Sequence, residues 1–398
     1  MPHKLVTMLG KASSNYRQAT YEFEDKSRRT SRFFGLELCK QVSPDELVIL
    51  GTTGSMWDNL LLETELSEHA DLEEELLKLG EAAQNDQVTQ ETLNQLAAHL
   101  QGVLGIPCVL KLIPYGRNYE EQTKTLEILV NCFNHKDTAI LDVTHGLRHL
   151  PMLVQQSALV LQSLKEVTIS GIHYGALELT SDNITPVMQL GGLLELDRWN
   201  QALAIYDESG DYGSFVPLLE QSGFSKNALD SLRDASFYEQ TNSVQKAQVK
   251  LKNFLTLLKK EEEVCSPHAA LFLPALKQRF SWVEKNQPHQ RQSAVAWQAL
   301  ENDNLLRATL YGFEAFITKL AEEYPNGLES YNVRSQAKGD YEKEQPSDSW
   351  NEYLMLRGIR NNLAHSSSQS HESVKKALAN RTSLSLALRR AFKVLIPN

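Results

Sequence analysis

Two residues near the end of the chain have side chains suited to chemistry at a phosphate: Arg360 and His365 in the stretch "RNNLAH". An imidazole can accept or donate a proton near neutral pH, and a guanidinium can stabilise the negative charge that builds on a phosphate during attack. Ser349 and Glu352 fit a capping box, which predicts a helix that begins at Trp350 and carries both residues. The stretch is therefore either half of an active site or a helix end with a capping histidine.

Helical geometry relates these side chains to one another. Asn361 and His365 are four residues apart and share one face, so the amide is expected to orient the imidazole ring. Arg360 lies about 140° around the axis from His365, at roughly 100° per residue. Either the long arginine side chain reaches around the helix, or a second copy of the helix across a two-fold axis completes the site. Such a site could cleave RNA without a metal ion, with the 2′-hydroxyl as nucleophile.

A second candidate site begins with the stretch "VILGTTGSMWDNL", whose pattern is a buried strand, a glycine-containing turn and the start of a helix. Glycines let a ligand approach the backbone, and N–H groups at a helix N-terminus together with hydroxyls can hold phosphate oxygens. The turn lacks the lysine of a P-loop and the spacing of a dinucleotide fingerprint, so neither ATP hydrolysis nor NAD chemistry is indicated. It is either a capped turn or a phosphate site, whose candidate residues are Gly51, Thr52, Thr53, Gly54, Ser55 and Trp57.

The stretch "ILDVTHGLRHLPML" places further polar side chains after another buried strand. Hydroxyl, imidazole and guanidinium donors there suit a phosphate or the edge of a nucleobase. His145 and His149 are four residues apart, but this segment has no acidic third ligand and Arg148 would repel a cation, so no metal site is predicted. The turn is either structural or a site for an anionic ligand, with Thr144, His145, Gly146, Arg148 and His149 as candidate residues.

The first 190 residues alternate short apolar runs with helical stretches, which predicts an open, Rossmann-like α/β sheet. The predicted strands are "KLVTMLG", "ELVILGTTGS", "CVLKLIPYG", "TAILDVTHG" and "EVTISGIHYGAL", with "ITPVMQL" as an antiparallel edge strand. In such sheets ligands bind at the carboxyl ends of the strands. We therefore expect the two polar turns to lie at the same edge of the sheet.

From residue 191 onward helical spacing replaces the strand pattern, which predicts an all-α second half. The polar segment "NVRSQAKGDYEKEQPSDSW" predicts a loop before the penultimate helix, which carries Arg360. The formal net charge is -10, yet residues 351–398 hold eight Lys and Arg against two Glu, so the end that carries Arg360 is basic. No apolar run is long enough to cross a bilayer, no signal peptide is evident, and the four cysteines form no C-x-x-C pair. A cytoplasmic protein with no membrane contact and no zinc site is therefore expected.

The two halves together resemble a known family. "ILGTTGSMWD" and "LDVTHGLRHLP" resemble segments of the CARF domain of CRISPR-associated proteins from type III systems, and the helical half with "RNNLAH" looks like a HEPN ribonuclease domain. The resemblance implies a CARF-like ligand-sensing domain over 1–190, then a helical linker region and a HEPN ribonuclease domain over 191–398. It also implies a homodimeric, metal-independent endoribonuclease that cleaves single-stranded RNA in antiviral defence when a cyclic oligoadenylate binds between two CARF domains.

By position, the HEPN motif corresponds to Arg360, Asn361 and His365, and the ligand-facing CARF segments correspond to the turns over 51–57 and 144–149. The resemblance favours the cyclic tetra-adenylate as activator and implies no other cofactor. It leaves open any assembly beyond the dimer and any cleavage of the activator itself. The alternative is a cyclic-nucleotide-sensing regulator or scaffold whose HEPN half binds RNA or a partner without cleaving. A nucleotide-dependent metabolic enzyme is disfavoured because no Gly-x-Gly-x-x-Gly or Walker motif is present.

Overall fold

The structure is a computed structural model that describes residues 2–11, 17–63, 70–325, 330–365 and 371–397. The chain divides into two compact units, Met1–Leu194 and Glu195–Asn398. The first unit is a mixed α/β domain, and the described part of the second is helical.

The N-terminal unit is built on a sheet with eight strands among the described residues, in the order β3-β2-β8-β7-β6-β1-β4-β5. The strands are β1 (His3–Leu9), β2 (Ala19–Glu22), β3 (Arg28–Ser31), β4 (Glu46–Gly51), β5 (Cys108–Leu112), β6 (Thr138–Asp142), β7 (Thr168–Gly175) and β8 (Ile184–Gln189). The five strands β7, β6, β1, β4 and β5 run parallel to one another. This is the predicted Rossmann-like α/β arrangement, with the predicted antiparallel strand β8 beside β7.

The helices of this unit cover both faces of the sheet. They are α1 (Phe34–Val42), α2 (Asp58–Leu62), α3 (Ala70–Gln84), α4 (Gln90–Leu104), α5 (Tyr119–Asn131) and α6 (Leu150–Lys165). Along β4, Leu47 and Ile49 join the core formed with α1, α3 and α4, whereas Val48 and Leu50 join the core formed with α5 and α6. Because side chains alternate between the faces of a strand, a strand covered on both faces is apolar at every position. This explains the unbroken run "LVIL".

The sheet extends further than the sequence analysis predicted. β8 was expected at the edge, but β2 pairs with it in parallel and β3 pairs with β2 in an antiparallel hairpin. The edge prediction is therefore wrong. Each hairpin strand has four residues, with sequences "ATYE" and "RRTS" that include polar, partly exposed positions. Strands this short and polar have too little apolar alternation to be recognised in a sequence.

The described residues of the C-terminal unit are helical, as predicted. Its α-helices are α7 (Gly192–Ser209, which starts before the unit boundary), α8 (Val216–Gln221), α9 (Lys226–Gln240), α10 (Val244–Glu261), α11 (Pro267–Arg279), α12 (Pro288–Glu301), α13 (Leu305–Ala321), α14 (Tyr331–Glu344), α15 (Trp350–His365), α16 (Glu372–Ala377) and α17 (Arg381–Leu395). Across the described ranges, no helix is long and apolar enough to cross a membrane.

Two predictions for this unit are wrong. The polar segment predicted as a loop forms α14, in which only Ala337 and Tyr341 are buried. Polar contacts hold this helix: the Ser330 side chain caps its N-terminus, and Arg334 pairs with Glu314 at 2.8 Å. Moreover, α15 is not the penultimate helix, because the last helical stretch divides into α16 and α17 where the Asn380 side chain caps α17.

Candidate functional site

Four loops meet at the carboxyl ends of β1, β4, β5 and β6. Backbone bonds join them: Met56 N donates to Gly10 O at 3.0 Å, and Ile113 N donates to Gly51 O at 2.8 Å. The Tyr115 carbonyl oxygen accepts a hydrogen bond from His149 Nε2 at 2.6 Å. The two turns that the sequence analysis selected therefore lie at one edge of the sheet. The loop after β5, which it did not select, connects to both.

The side chains of the turn after β4 point into the protein. Ser55 Oγ accepts from Thr52 N at 2.8 Å and donates to Leu9 O at 2.8 Å. Trp57 Nε1 donates to Thr52 O at 2.9 Å, and all three side chains are buried. A Cβ at Gly51 would lie 2.5 Å from the Trp57 ring, so the strand end can only be glycine. The Thr52 and Ser55 hydroxyls, which were expected to hold phosphate oxygens, are engaged within the turn and shape it.

The tip of this turn lies beneath a polar cluster formed by Lys11, Asp86 and Tyr115. Lys11 Nζ donates to Asp86 Oδ1 at 2.8 Å, and the Tyr115 hydroxyl donates to the same oxygen. A Cβ at Gly54 would lie 2.0 Å from that oxygen and 2.6 Å from the Tyr115 hydroxyl, so a larger residue would displace the cluster. Thr53, next to Gly54, is half-buried.

This cluster was not predicted from the sequence. Lys11 follows one predicted strand and Tyr115 lies at the carboxyl end of another, which is the signal that could have identified them. Asp86 carries no such signal because it belongs to the turn between α3 and α4. Arg117 adds a second cation, with its guanidinium carbon 4.7 Å from the centre of the Tyr115 ring.

The first half of the turn after β6 is also buried. Phe34 N donates to His145 Nε2 at 3.1 Å, so this ring supports the start of α1, and it stacks on Phe33. Burial lowers the pKa of His145 to about 4, so the ring is neutral. His145, which was expected to offer a donor to a ligand, has an exposed fraction of 6% and contacts Phe33 and Phe34 within the protein.

A buried carboxylate fixes the path of this turn. Asp142 Oδ2 accepts from Thr7 Oγ1 at 2.5 Å, and Asp142 Oδ1 accepts from Thr144 N at 2.8 Å. Thr144 Oγ1 in turn accepts from Gly175 N at 2.8 Å, so this predicted site residue is also engaged within the protein. Burial raises the pKa of Asp142 to about 6. Gly146 follows with a φ of 115°, a backbone conformation that glycine adopts most readily.

The second half of the turn faces solvent. Arg148 and His149 are exposed, and His149 holds the loop after β5 through the Tyr115 carbonyl. The charge of Arg148 helps to lower the pKa of Glu178, after larger effects from the Tyr174 hydroxyl and a backbone N–H. The described part of this sheet edge therefore presents three exposed cations, Lys11, Arg117 and Arg148. Such an edge suits an anionic ligand.

The second candidate site lies on α15, which begins at Trp350 as predicted. Arg360 Nη1 donates to Asn361 Oδ1 at 3.2 Å, and the Arg360 guanidinium carbon lies 5.5 Å from the centre of the Phe313 ring. Asn361 and His365 are exposed. The Asn361 oxygen accepts from Arg360, so the Arg360 side chain contacts a residue on the face that His365 shares. The expectation that the Asn361 amide orients the His365 ring stays a prediction.

Packing fixes the helix that carries these residues. Tyr353, Leu356 and Ile359 are fully buried on the face opposite to solvent. A Cβ at Gly358 would lie 2.6 Å from a methyl carbon of Val374, so α16 approaches the backbone of α15 closely. The polar run "SSSQS" that follows His365, residues 366–370, lies outside the described residues.

Comparison with known proteins assigns the N-terminal unit. Residues 4–178 match the family model described as the CARF domain of the CRISPR system endoribonuclease Csx1. CRISPR-associated protein MJ1674 of Methanocaldococcus jannaschii is 24% identical over 397 residues, which cover 91% of this chain and 62% of that protein. The chain thus spans less than two thirds of the length of this relative. Csm6 of Enterococcus italicus, solved with cyclic hexa-2′-fluoro-hexa-dAMP, matches with a TM-score of 0.40 and 12% identity, over 100% of this chain and 94% of that one.

These findings assign the class of the N-terminal unit. It is a CARF domain, on the strength of the family model and the sheet described above. The family model and the similarity to a CRISPR-associated protein confirm the resemblance to CARF-containing ancillary proteins of type III CRISPR systems that the two polar turns indicated.

Proposed function

We propose that this protein is an endoribonuclease that cleaves single-stranded RNA when a cyclic oligoadenylate binds to its CARF domain. The observation that carries the proposal is the match of residues 4–178 to the CARF domain of the endoribonuclease Csx1. The exposed cations at the sheet edge support it, because a cyclic oligoadenylate carries one negative charge per phosphate. The tetra-adenylate is the favoured ring size, and the protein acts in cytoplasmic antiviral defence.

The C-terminal unit supplies the proposed ribonuclease centre, within a helical linker region and a HEPN domain over 191–398. In the proposed reaction the 2′-hydroxyl attacks the adjacent phosphorus while the bond from phosphorus to the 5′-oxygen breaks. The 2′-hydroxyl loses its proton and the departing 5′-oxygen gains one; His365 either accepts the first proton or donates the second, and Arg360 stabilises the charge on the phosphate. Both side chains need no metal ion for these roles. The contact of Arg360 with Asn361 supports a joint role for these two residues.

The proposed active form is a homodimer in which two α15 helices combine their side chains. His365 is exposed in the single chain, and water surrounds such a group unless another surface covers it. A second helix would supply that surface and a second pair of Arg360 and His365. The ring of a cyclic oligoadenylate has internal symmetry, which suits a two-fold pocket between two CARF domains.

An RNA cleavage assay tests the proposal. Purified protein is incubated with labelled single-stranded RNA and EDTA, alone or with cyclic tri-, tetra- or hexa-adenylate. We expect cleavage with one ring size, most rapidly with the tetra-adenylate, and none without it. Cleavage by His365→Ala at the wild-type rate would refute the assigned site.

The alternative function is a sensor or scaffold whose helical unit binds RNA or a partner without cutting. The contact of the Arg360 guanidinium with the Phe313 ring favours it, because that contact also has a packing role. The same assay separates the two functions. Ligand binding by the CARF domain with intact RNA under all conditions would establish the alternative.

A further inference from the structure

Asp86 lies among the exposed cations at the sheet edge, beside Lys11 and Tyr115. Its Oδ1 accepts from both Lys11 Nζ and the Tyr115 hydroxyl. These groups are open to solvent, with 39% of the Lys11 side chain and 46% of the Asp86 side chain exposed. The hydrogen bond from Lys11 lowers the pKa of Asp86, and the Tyr115 hydroxyl lowers it further. A charged carboxylate of the protein thus neutralises one of the cations at the sheet edge.

The shape of the turn that carries Asp86 does not depend on this carboxylate. Backbone bonds close the turn between α3 and α4: Asp86 N donates to Ala83 O at 3.2 Å, and Gln87 N donates to Ala82 O at 2.7 Å. Asp86 has a φ of 56°, a left-handed conformation that asparagine also adopts. Replacement of Asp86 by asparagine therefore removes the charge and keeps the turn.

We propose that Asp86 is an internal competitor for the anionic ligand and that it raises the ligand concentration needed to occupy the sheet edge. The inference rests on the proposed function, because it assumes a phosphate-bearing ligand. A phosphate that binds Lys11 and Tyr115 must first replace the carboxylate at both groups. The displaced carboxylate also stays close to the bound phosphate and repels it.

The position of Gly54 defines where a phosphate would replace the Asp86 carboxylate. Asp86 Oδ1 lies against the Gly54 backbone, where even a Cβ would be 2.0 Å away. A phosphate oxygen that takes the place of Asp86 Oδ1 would therefore lie over Gly54. This connects the competitor directly to the turn that the sequence analysis selected.

The test measures the affinity of the full-length protein for cyclic tri-, tetra- and hexa-adenylate by calorimetry, at low and at physiological salt. Asp86→Asn removes the competing charge. Glu74→Gln is the matched control, since Glu74 is an exposed carboxylate of α3 that pairs with Lys78 at 2.6 Å and lies about 15 Å along the helix from its end. Lys11→Met, alone and combined with Asp86→Asn, shows whether the effect acts through Lys11.

We expect Asp86→Asn to bind the preferred ring about two- to fivefold more tightly, because an exposed ion pair of modest strength no longer competes. Glu74→Gln should bind as the wild type does, and the gain from Asp86→Asn should be smaller in the Lys11→Met background, where only the Tyr115 hydroxyl and the repulsion between the carboxylate and the phosphate remain. If the wild type binds but Asp86→Asn binds equally or more weakly, the competitor role is overturned while the proposed function stands. If neither protein binds any ring, the proposed function itself fails and the competitor role fails with it.

Discussion

The two candidate sites differ in how much of their geometry one chain provides. At the carboxyl edge of the CARF sheet, buried side chains such as Ser55 and His145 fix the turns, and exposed cations project from them. On α15, packing fixes the helix, but His365 and Asn361 are exposed and Arg360 contacts only Asn361 and Phe313 among the contacts described above. The comparison indicates that the geometry of the proposed sensing site is set within one chain, whereas the proposed catalytic site on α15 depends on a second surface that would cover it.

The largest expected effect tests the α15 side of this comparison. We expect His365→Ala to lower the rate of activated RNA cleavage by about 10²- to 10⁴-fold, the usual contribution of a general acid or base. Thermal stability should not change because the side chain is exposed. Single-turnover cleavage and thermal melting measure the two quantities. His268→Ala, on α11 of the same unit, is the control, and an equal loss of rate in that variant would contradict a specific role for His365.

The next effect concerns two buried groups of the turn after β6, Asp142 and His145, which change the stability of the fold in opposite directions as the pH rises. Asp142 has its pKa raised from 3.8 to about 6, so between these pH values the folded state holds a proton that the unfolded state has lost. Its contribution to stability therefore falls by about 3 kcal/mol as the pH rises through this window. His145 has its pKa lowered from 6.5 to about 4, so only the unfolded state is protonated between them, and stability rises by about 3 kcal/mol.

These two dependences of the free energy of unfolding on pH nearly cancel in the wild type, and single variants should separate them. In Asp142→Asn we expect the stability of the N-terminal unit to rise between about pH 4 and 6.5. In His145→Gln it should fall between about pH 4 and 6. Hydrogen exchange of the β4 and β6 amides across this pH range measures both slopes. Identical pH profiles in the wild type and the two variants would show that neither group titrates as its burial implies.

A smaller change in stability tests whether buried hydrogen bonds stabilise the turn after β4. Ser55→Ala removes the hydroxyl that bridges Thr52 N and Leu9 O, and leaving such buried groups unpaired costs about 1–3 kcal/mol. Hydrogen exchange of β4 should show this loss. Thr53→Ala, two positions earlier and half-buried, should cost less. Equal costs would mean that the Ser55 bridge contributes nothing specific.

The smallest expected effect concerns the exposed part of the CARF edge. Arg148→Ala should weaken binding of the cyclic oligoadenylate about tenfold, within the range for a hydrogen bond to a charged group, and leave the fold unchanged. The activator concentration at half-maximal cleavage measures it. Arg28→Ala, which removes an exposed cation from β3 of the same unit, is the control. A wild-type response in Arg148→Ala would remove Arg148 from the site.

The parts of the fold that sequence predicted are those in which one physical signal dominates. Strands covered on both faces are apolar throughout, so β1, β4 and β6 were visible as runs. The hairpin of β2 and β3 and the helix α14 were missed. They are short or polar, and they depend on a neighbouring strand or on ion pairs formed only after folding.

The site was predicted at the level of segments but not of side chains. Sequence placed both turns at the sheet edge because parallel strands end there together. It could not tell that Ser55 and His145 face inward, because their partners, Leu9 and Phe34, are distant along the chain. For the same reason it missed Asp86, which is 75 residues from its partner Lys11.

The backbone bonds that join three of the four loops, those after β1, β4 and β5, have a consequence for how this site can change. Met56 to Gly10 and Ile113 to Gly51 are main-chain contacts, so any amino acid at the neighbouring exposed positions leaves them intact. Lys11, Arg117 and Arg148 can therefore be exchanged without altering the course of the loops. Ligand preference can then drift by substitution at the surface alone, which makes this edge a natural starting point for engineering sensors of other anions.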